Sequence, residues 1–183
     1  DYSILLYAGS ITFNRGLENL IAALVYLPQC FLVLMGYSNE TYRDKLQTLA
    51  EEKEVASRLG FFGPVPTDEV TLYASTADLG VAPIENVCSS YYYCSPNKLF
   101  EYLLAGLPVI ASNFPEMSQI INKYGVGGTF DPSAPKDIAR AVMAIFEAPE
   151  KWKDLSEKTE VVASTYNWEK ESQKLINIYQ SLS

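Results

Sequence analysis

The sequence predicts an α/β fold: a doubly wound, mostly parallel, Rossmann-like sheet with helices on both faces, followed by C-terminal helices. Short apolar runs alternate with amphipathic helical stretches along most of the chain. The runs are apolar throughout rather than apolar and polar in turn, which implies burial on both faces and hence parallel pairing. Right-handed crossovers between such strands wind helices onto both sides of the sheet. Residues 151–183 lie beyond the alternation and are helical in character.

In chain order, residues 3–8 (SILLYA) form a buried strand, then a turn leads to a helix over about 16–26. Residues 31–35 (FLVLM) form a second strand ending at Gly36, and a polar, charged helix fills roughly 39–53. Residues 58–62 are a third strand, 67–76 a short helix with Thr67 as its N-cap, and 79–84 a fourth strand. A loop leads to a helix over 96–105, a fifth strand over 108–111 and a helix over 115–123. A sixth strand over 128–130 precedes a helix over 134–146, where Ile138, Val142 and Ile145 recur at helical spacing. The organisation is one domain over residues 1–150, with the helices of 151–183 appended.

With 183 residues the chain can bury a full core. A net charge of −8 argues against a nucleic-acid partner, although a few local cations can still oppose that field for a small anion. The chain contains no histidine, which removes the commonest general base, the commonest metal ligand and any Ser-His or Cys-His triad. Cys30, Cys88 and Cys94 are odd in number and lack metal-type spacing, so they read as free thiols of a reducing compartment. No apolar run reaches bilayer length and no signal peptide opens the chain, so the expectation is a cytoplasmic protein without a metal site or cofactor.

In open parallel sheets, ligands bind outside the carboxyl ends of the strands. After the first strand come Gly9 and Ser10, then Arg15 and Gly16: small residues, free amides and a cation at a helix start, a combination suited to phosphate. By itself a strand–turn–helix with a lone arginine is more often plain structure than a phosphate site. The richer segment is CSPNKLFEYLLAGLPVIAS, residues 94–112. Ser95 and Pro96 read as N-cap and first helical residue, aiming a positive helix end at the loop. Asn97 and Lys98 fall four and three residues before Glu101, on a shared face, and Gly106 ends the helix as a left-handed cap. The structural alternative makes Lys98 and Glu101 a solvated surface pair of little value.

This segment resembles the donor-site helix of family 4 glycosyltransferases and their relatives, whose fold is the two-lobed GT-B. YAGS at 7–10, Arg15-Gly16, residues 32–36, FGPV at 62–65, Ala77-Asp78 and residues 127–132 are similar to further positions of the same group, with Asn167-Trp168 resembling the start of its closing helix. The resemblance implies the C-terminal, donor-binding half of GT-B, with a nucleoside-diphosphate sugar of UDP or GDP type as partner. The acceptor would belong to an absent N-terminal domain, toward which helices 151–183 would cross. Any peripheral membrane association would run through that half.

The roles it implies are specific. Arg15, Lys98 and Glu101 are the candidate catalytic residues: Glu101 matches the second acid of a paired-glutamate motif and would hold the ribose, while Arg15 and Lys98 would meet the diphosphate. Gly9, Ser10, Ser95 and Asn97 would lie along that diphosphate, with Pro64 and Val65 against the base. Two positions depart from the pattern: Ser10 stands where an arginine is frequent, and Tyr93, eight residues before Glu101, stands where the first glutamate belongs. Glu85 is the nearest upstream acid, so Glu85 and Tyr93 are the sugar-pocket candidates. Tyr91, Tyr92 and Tyr93 either line that pocket or pack the loop.

No Asp-x-Asp cluster occurs, which fits metal-independent transfer, and the resemblance implies retention of configuration. Positioned cations and helix amides would stabilise charge on the departing diphosphate. The alternative is a non-catalytic or partner-dependent nucleotide-sugar-binding module. A flavodoxin-like domain has neither an acidic phosphoacceptor cluster nor a dinucleotide fingerprint to support it.

Overall fold

The computed structural model describes residues 2–147 and 149–182. Strands β1 (Ser3–Ala8), β2 (Cys30–Met35), β3 (Leu59–Phe62), β4 (Leu79–Ala82), β5 (Val109–Ser112) and β6 (Gly127–Phe130) form one parallel sheet in the order β3-β2-β1-β4-β5-β6. That is the Rossmann-like order, with its switch point between β1 and β4. Successive residues of β1 show why the strands are apolar throughout. Leu5 and Tyr7 belong to one core, and Leu6 and Ala8 to the other.

The first core is closed by α1 (Leu17–Ala23), α2 (Glu40–Glu52) and α7 (Pro135–Phe146), where Ile138, Val142 and Ile145 form the buried stripe. The second is closed by α3 (Val70–Ala74), α5 (Asn97–Leu104) and α6 (Pro115–Tyr124). Helix α8 (Pro149–Thr165) gives Leu155 to the first core and Val162 to the second, so it packs as part of the domain body. Helix α9 (Trp168–Ser181) starts at Asn167, whose side chain accepts from the Lys170 amide, and buries none of its residues. Among the described residues no helix is long and apolar enough to cross a membrane.

Boundaries differ from the sequence expectation where local chemistry competes. The first helix is α-helical only to Ala23 and tightens to a 3₁₀ turn over Leu24–Tyr26. Arg58 donates to the carbonyls of Leu24 and Leu27 there, at 2.9 and 2.6 Å. Strand β4 stops at Ala82 rather than 84, because Pro83 has no amide for the ladder. Thr67 does not cap a helix: Thr67–Glu69 is a 3₁₀ turn following Pro66, and α3 begins at Val70. The loop after β4 contains a short helix, α4 (Ser89–Tyr92), which three adjacent tyrosines gave no reason to expect.

The switch point itself is built by α5. Strands β1 and β4 pair only through Leu5↔Leu79 and Leu6↔Gly80 before diverging. The Tyr102 hydroxyl fills the opening, accepting from the Ala8 amide at 2.7 Å and donating to the Val81 carbonyl at 3.3 Å. Its ring lies where a Cβ on Gly80 would sit, 2.4 Å away. Gly106, at φ +75, ends the helix: its amide and that of Leu107 return to the carbonyls of Leu103 and Tyr102. This anchoring places Lys98 and Glu101, on the same helix, over the end of β1.

Candidate functional site

The loop leaving β1 crosses the end of β4 at Gly16, which has φ +69 and lies so close that an added Cβ would stand 1.9 Å from the Pro83 carbonyl oxygen. Only glycine suits both the conformation and the approach. The Tyr7 hydroxyl donates to the Ser10 carbonyl at 2.8 Å and shapes the start of this loop. Gly9 (φ +136) faces Lys98, whose Nζ lies 3.2 Å from where a glycine Cβ would be.

Lys98 is 9% exposed, not the solvated residue of the surface-pair alternative. Its Nζ sits 3.9 Å from the centre of the Tyr7 ring. Burial, and then the neighbouring Arg15 charge, push its ammonium down to about 7, with Glu101 opposing. The Glu101 carboxyl is half-buried and pushed upward by that burial, with Lys98 opposing. Yet no ion pair joins Lys98 or Arg15 to an acid among the described residues. The Arg15 guanidinium lies over the Tyr91 ring, 5.1 Å from its centre. Arg15, far from α5 in sequence, thus shares one electrostatic neighbourhood with Lys98 and Glu101 at the end of β1.

Beside them is a cavity of 220 Å³ between the ends of β1, β2 and β3, lined by Gly9, Tyr37, Pro64, Val65 and Glu101 among others. Volume does not single it out. Clefts of 390 and 400 Å³ lie elsewhere, but the cations lining them already rest on acids, Lys158 on Asp154 and Arg140 on Asp137.

Ser95 requires a correction. Helix α5 begins at Asn97 with Pro96 as its N-cap, at φ −73 and ψ 141, and no side chain caps it. Because a residue before proline is driven to extended backbone, Ser95 stays outside the helix, exposed in the loop, and the first amides of α5 receive no side-chain acceptor. Asn97 and Ser10 are exposed nearby. Glu85 turns elsewhere: burial and then the Glu18 charge push its carboxyl up, with Lys45 opposing, and Glu18 and Lys45 are themselves paired at 2.9 Å. Tyr93 is 61% exposed and meets Tyr92 edge-on. Tyr92 packs on Phe114, so this tyrosine packs the loop while Tyr91 carries Arg15. The roles of Tyr7, Tyr37 and Tyr102 were not legible in the sequence, because no spacing marks a ring that supports a cation, lines a cavity or plugs a sheet.

A parallel six-stranded sheet in the order β3-β2-β1-β4-β5-β6, with helices on both faces, belongs to the class of doubly wound, Rossmann-like α/β domains. Residues 1–162 match the family described as Glycosyl transferases group 1, and the chain belongs to that family. It is 27% identical to an uncharacterized glycosyltransferase of Methanocaldococcus jannaschii, over 98% of this chain and 45% of that protein. Sucrose-phosphate synthase from Thermosynechococcus elongatus is similar in structure, with a TM-score of 0.88 and 26% identity, over 100% of this chain and 46% of that one. HepE from Anabaena, in complex with UDP and glucose, has the same fold at a TM-score of 0.82 and 18% identity, over 98% of this chain and 48% of that one. The chain therefore spans about half the length of these relatives, and its fold is that of GT-B C-terminal domains.

Proposed function

We propose that this chain is the donor-binding half of a two-lobed glycosyltransferase, taking a nucleoside-diphosphate sugar of UDP or GDP type. The observation that carries the reading is the convergence of Arg15 and Lys98, neither paired with an acid among the described residues, beside the Gly9 turn and the cavity that Glu101 lines. The diphosphate lies along Gly9 and the uncapped start of α5, between the two cations. Glu101 accepts from the ribose hydroxyls, and the base enters the cavity against Pro64 and Val65. HepE, a protein of the same fold, binds UDP and UDP-glucose, which favours this assignment.

In this reading the chemistry is departure of the diphosphate from the sugar, with retention and without a metal. Arg15 and Lys98 stabilise the charge that develops on the leaving oxygens, and being fixed beforehand they need not reorganise. The acceptor binds to the other lobe, toward which α9 crosses. Calorimetry with UDP, GDP, uridine and guanosine tests the assignment. Glu101→Ala is expected to weaken nucleosides and nucleotides alike by about tenfold or more, the value of a hydrogen bond to a charged group. Lys98→Ala is expected to weaken UDP and GDP and leave uridine and guanosine unchanged. Wild-type affinity in both variants would return the two residues to a structural role.

A further inference from the structure

Two cations stand together at this site, and neither rests on an acid. Lys98 Nζ lies over Tyr7 and the Arg15 guanidinium over Tyr91, while no ion pair to either forms among the described residues. Like charges in this proximity repel, and Arg15 is one of the causes that push Lys98 down. Some contact must therefore hold Arg15 in place before any anion arrives. The face of an aromatic ring can do this through its quadrupole. Unlike a carboxylate, it carries no charge that an incoming diphosphate would have to displace. The ring is itself held: Tyr91 sits on α4 with its amide bonded to the Cys88 carbonyl, and the adjacent Tyr92 packs on Phe114.

We propose that Tyr91 is a positioning residue, whose ring face holds the Arg15 guanidinium in readiness for the donor diphosphate; this rests on the reading of the site given above. The family resemblance offers no such role at this position, which lies in the segment where the chain departs from the paired-glutamate pattern.

Calorimetric titration of this chain with UDP and GDP, and with uridine and guanosine, decides the matter. Tyr91→Phe keeps the ring and is expected to bind all four as wild type does. Tyr91→Leu is expected to lose about three- to tenfold in UDP and GDP affinity, the range of an exposed to partly desolvated cation–π contact, with uridine and guanosine unchanged. Arg15→Gln is expected to lose at least as much, and Tyr91→Leu added to it should cost nothing further. Wild-type affinity in Tyr91→Leu, an undiminished effect of Tyr91→Leu in the Arg15→Gln background, or equal losses in Tyr91→Phe and Tyr91→Leu would overturn the positioning role. If Arg15→Gln itself leaves UDP and GDP affinity untouched, the diphosphate assignment and this proposal fall together.

Discussion

A lysine that is buried beside an arginine, with a tyrosine ring as its nearest support, is poised to change charge near neutrality. Lys98 is pushed down to about 7, from an ordinary value of 10.5. The groups facing it are Tyr7 on β1, Arg15 in the following loop, and Cys94 and Glu101 before and on α5. The folded chain holds fewer protons than the unfolded one between these two values, so this residue makes stability rise with pH across that window. Donor binding has the opposite dependence. A diphosphate favours the ammonium, so affinity is full below about 7 and falls as pH rises above it, by at most about tenfold per unit. UDP affinity measured from about pH 6 to about pH 9 should therefore decline in wild type relative to Lys98→Met, the ionisation of UDP itself being common to both. Parallel profiles for the two proteins would remove Lys98 from the diphosphate.

At the scale of elements, one hydroxyl ties α5 to the switch point, in addition to the burial of Leu99 and Leu103 in the second core. Tyr102 accepts from the Ala8 amide and donates to Val81, replacing ladder bonds that the diverging strands do not make. Tyr102→Phe keeps the ring against Gly80 and leaves a buried amide without its partner, at an expected cost of about 1–3 kcal/mol. Urea denaturation should show that loss in the midpoint with the slope unchanged, and an unchanged midpoint would mean another acceptor reaches Ala8. The fold was legible in the sequence because its signals are redundant: the apolar strands, the helical stripe of Ile138, Val142 and Ile145, and Gly106 all agree. Arg15, Lys98 and Glu101 were legible as candidates through the resemblance. Ser95 was misread because Pro96 occupies the N-cap itself, and the first-turn identity of a proline depends on its ψ angle, which composition does not reveal. Tyr7, Tyr91 and Tyr102 were illegible in their roles because a tyrosine that packs, supports a cation or plugs a sheet has the same letter and the same spacing. Only the tertiary arrangement separates Tyr91 under Arg15 from Tyr92 against Phe114.

For the molecule as a whole, the unequal burial of its last two helices is the informative feature. Helix α8 is locked into both cores, whereas α9 buries nothing: Trp168 is 71% exposed, and Leu175, Ile176, Tyr179 and Leu182 stand open along the same helix. An exposed apolar stripe of this kind is a surface that another element can cover. The chain spans 45–46% of its M. jannaschii relative and of sucrose-phosphate synthase, leaving room in such proteins for a second lobe. If the donor occupies one lobe and the acceptor the other, attack requires both, because the reacting atoms must be brought to within about 3–3.5 Å. The chain also lacks histidine, so any imidazole in the chemistry must come from elsewhere. The prediction is that these 183 residues bind UDP or GDP and transfer no sugar to an acceptor, while a chain extended by an N-terminal lobe does so at equal nucleotide occupancy. Replacing Leu175 and Tyr179 by serine should leave nucleotide binding by the 183-residue chain unchanged and lower transfer by the extended one. Acceptor-dependent transfer by the 183 residues alone, at a rate comparable to the extended chain, would refute the two-lobed account and assign the whole reaction to the face above β1 and α5.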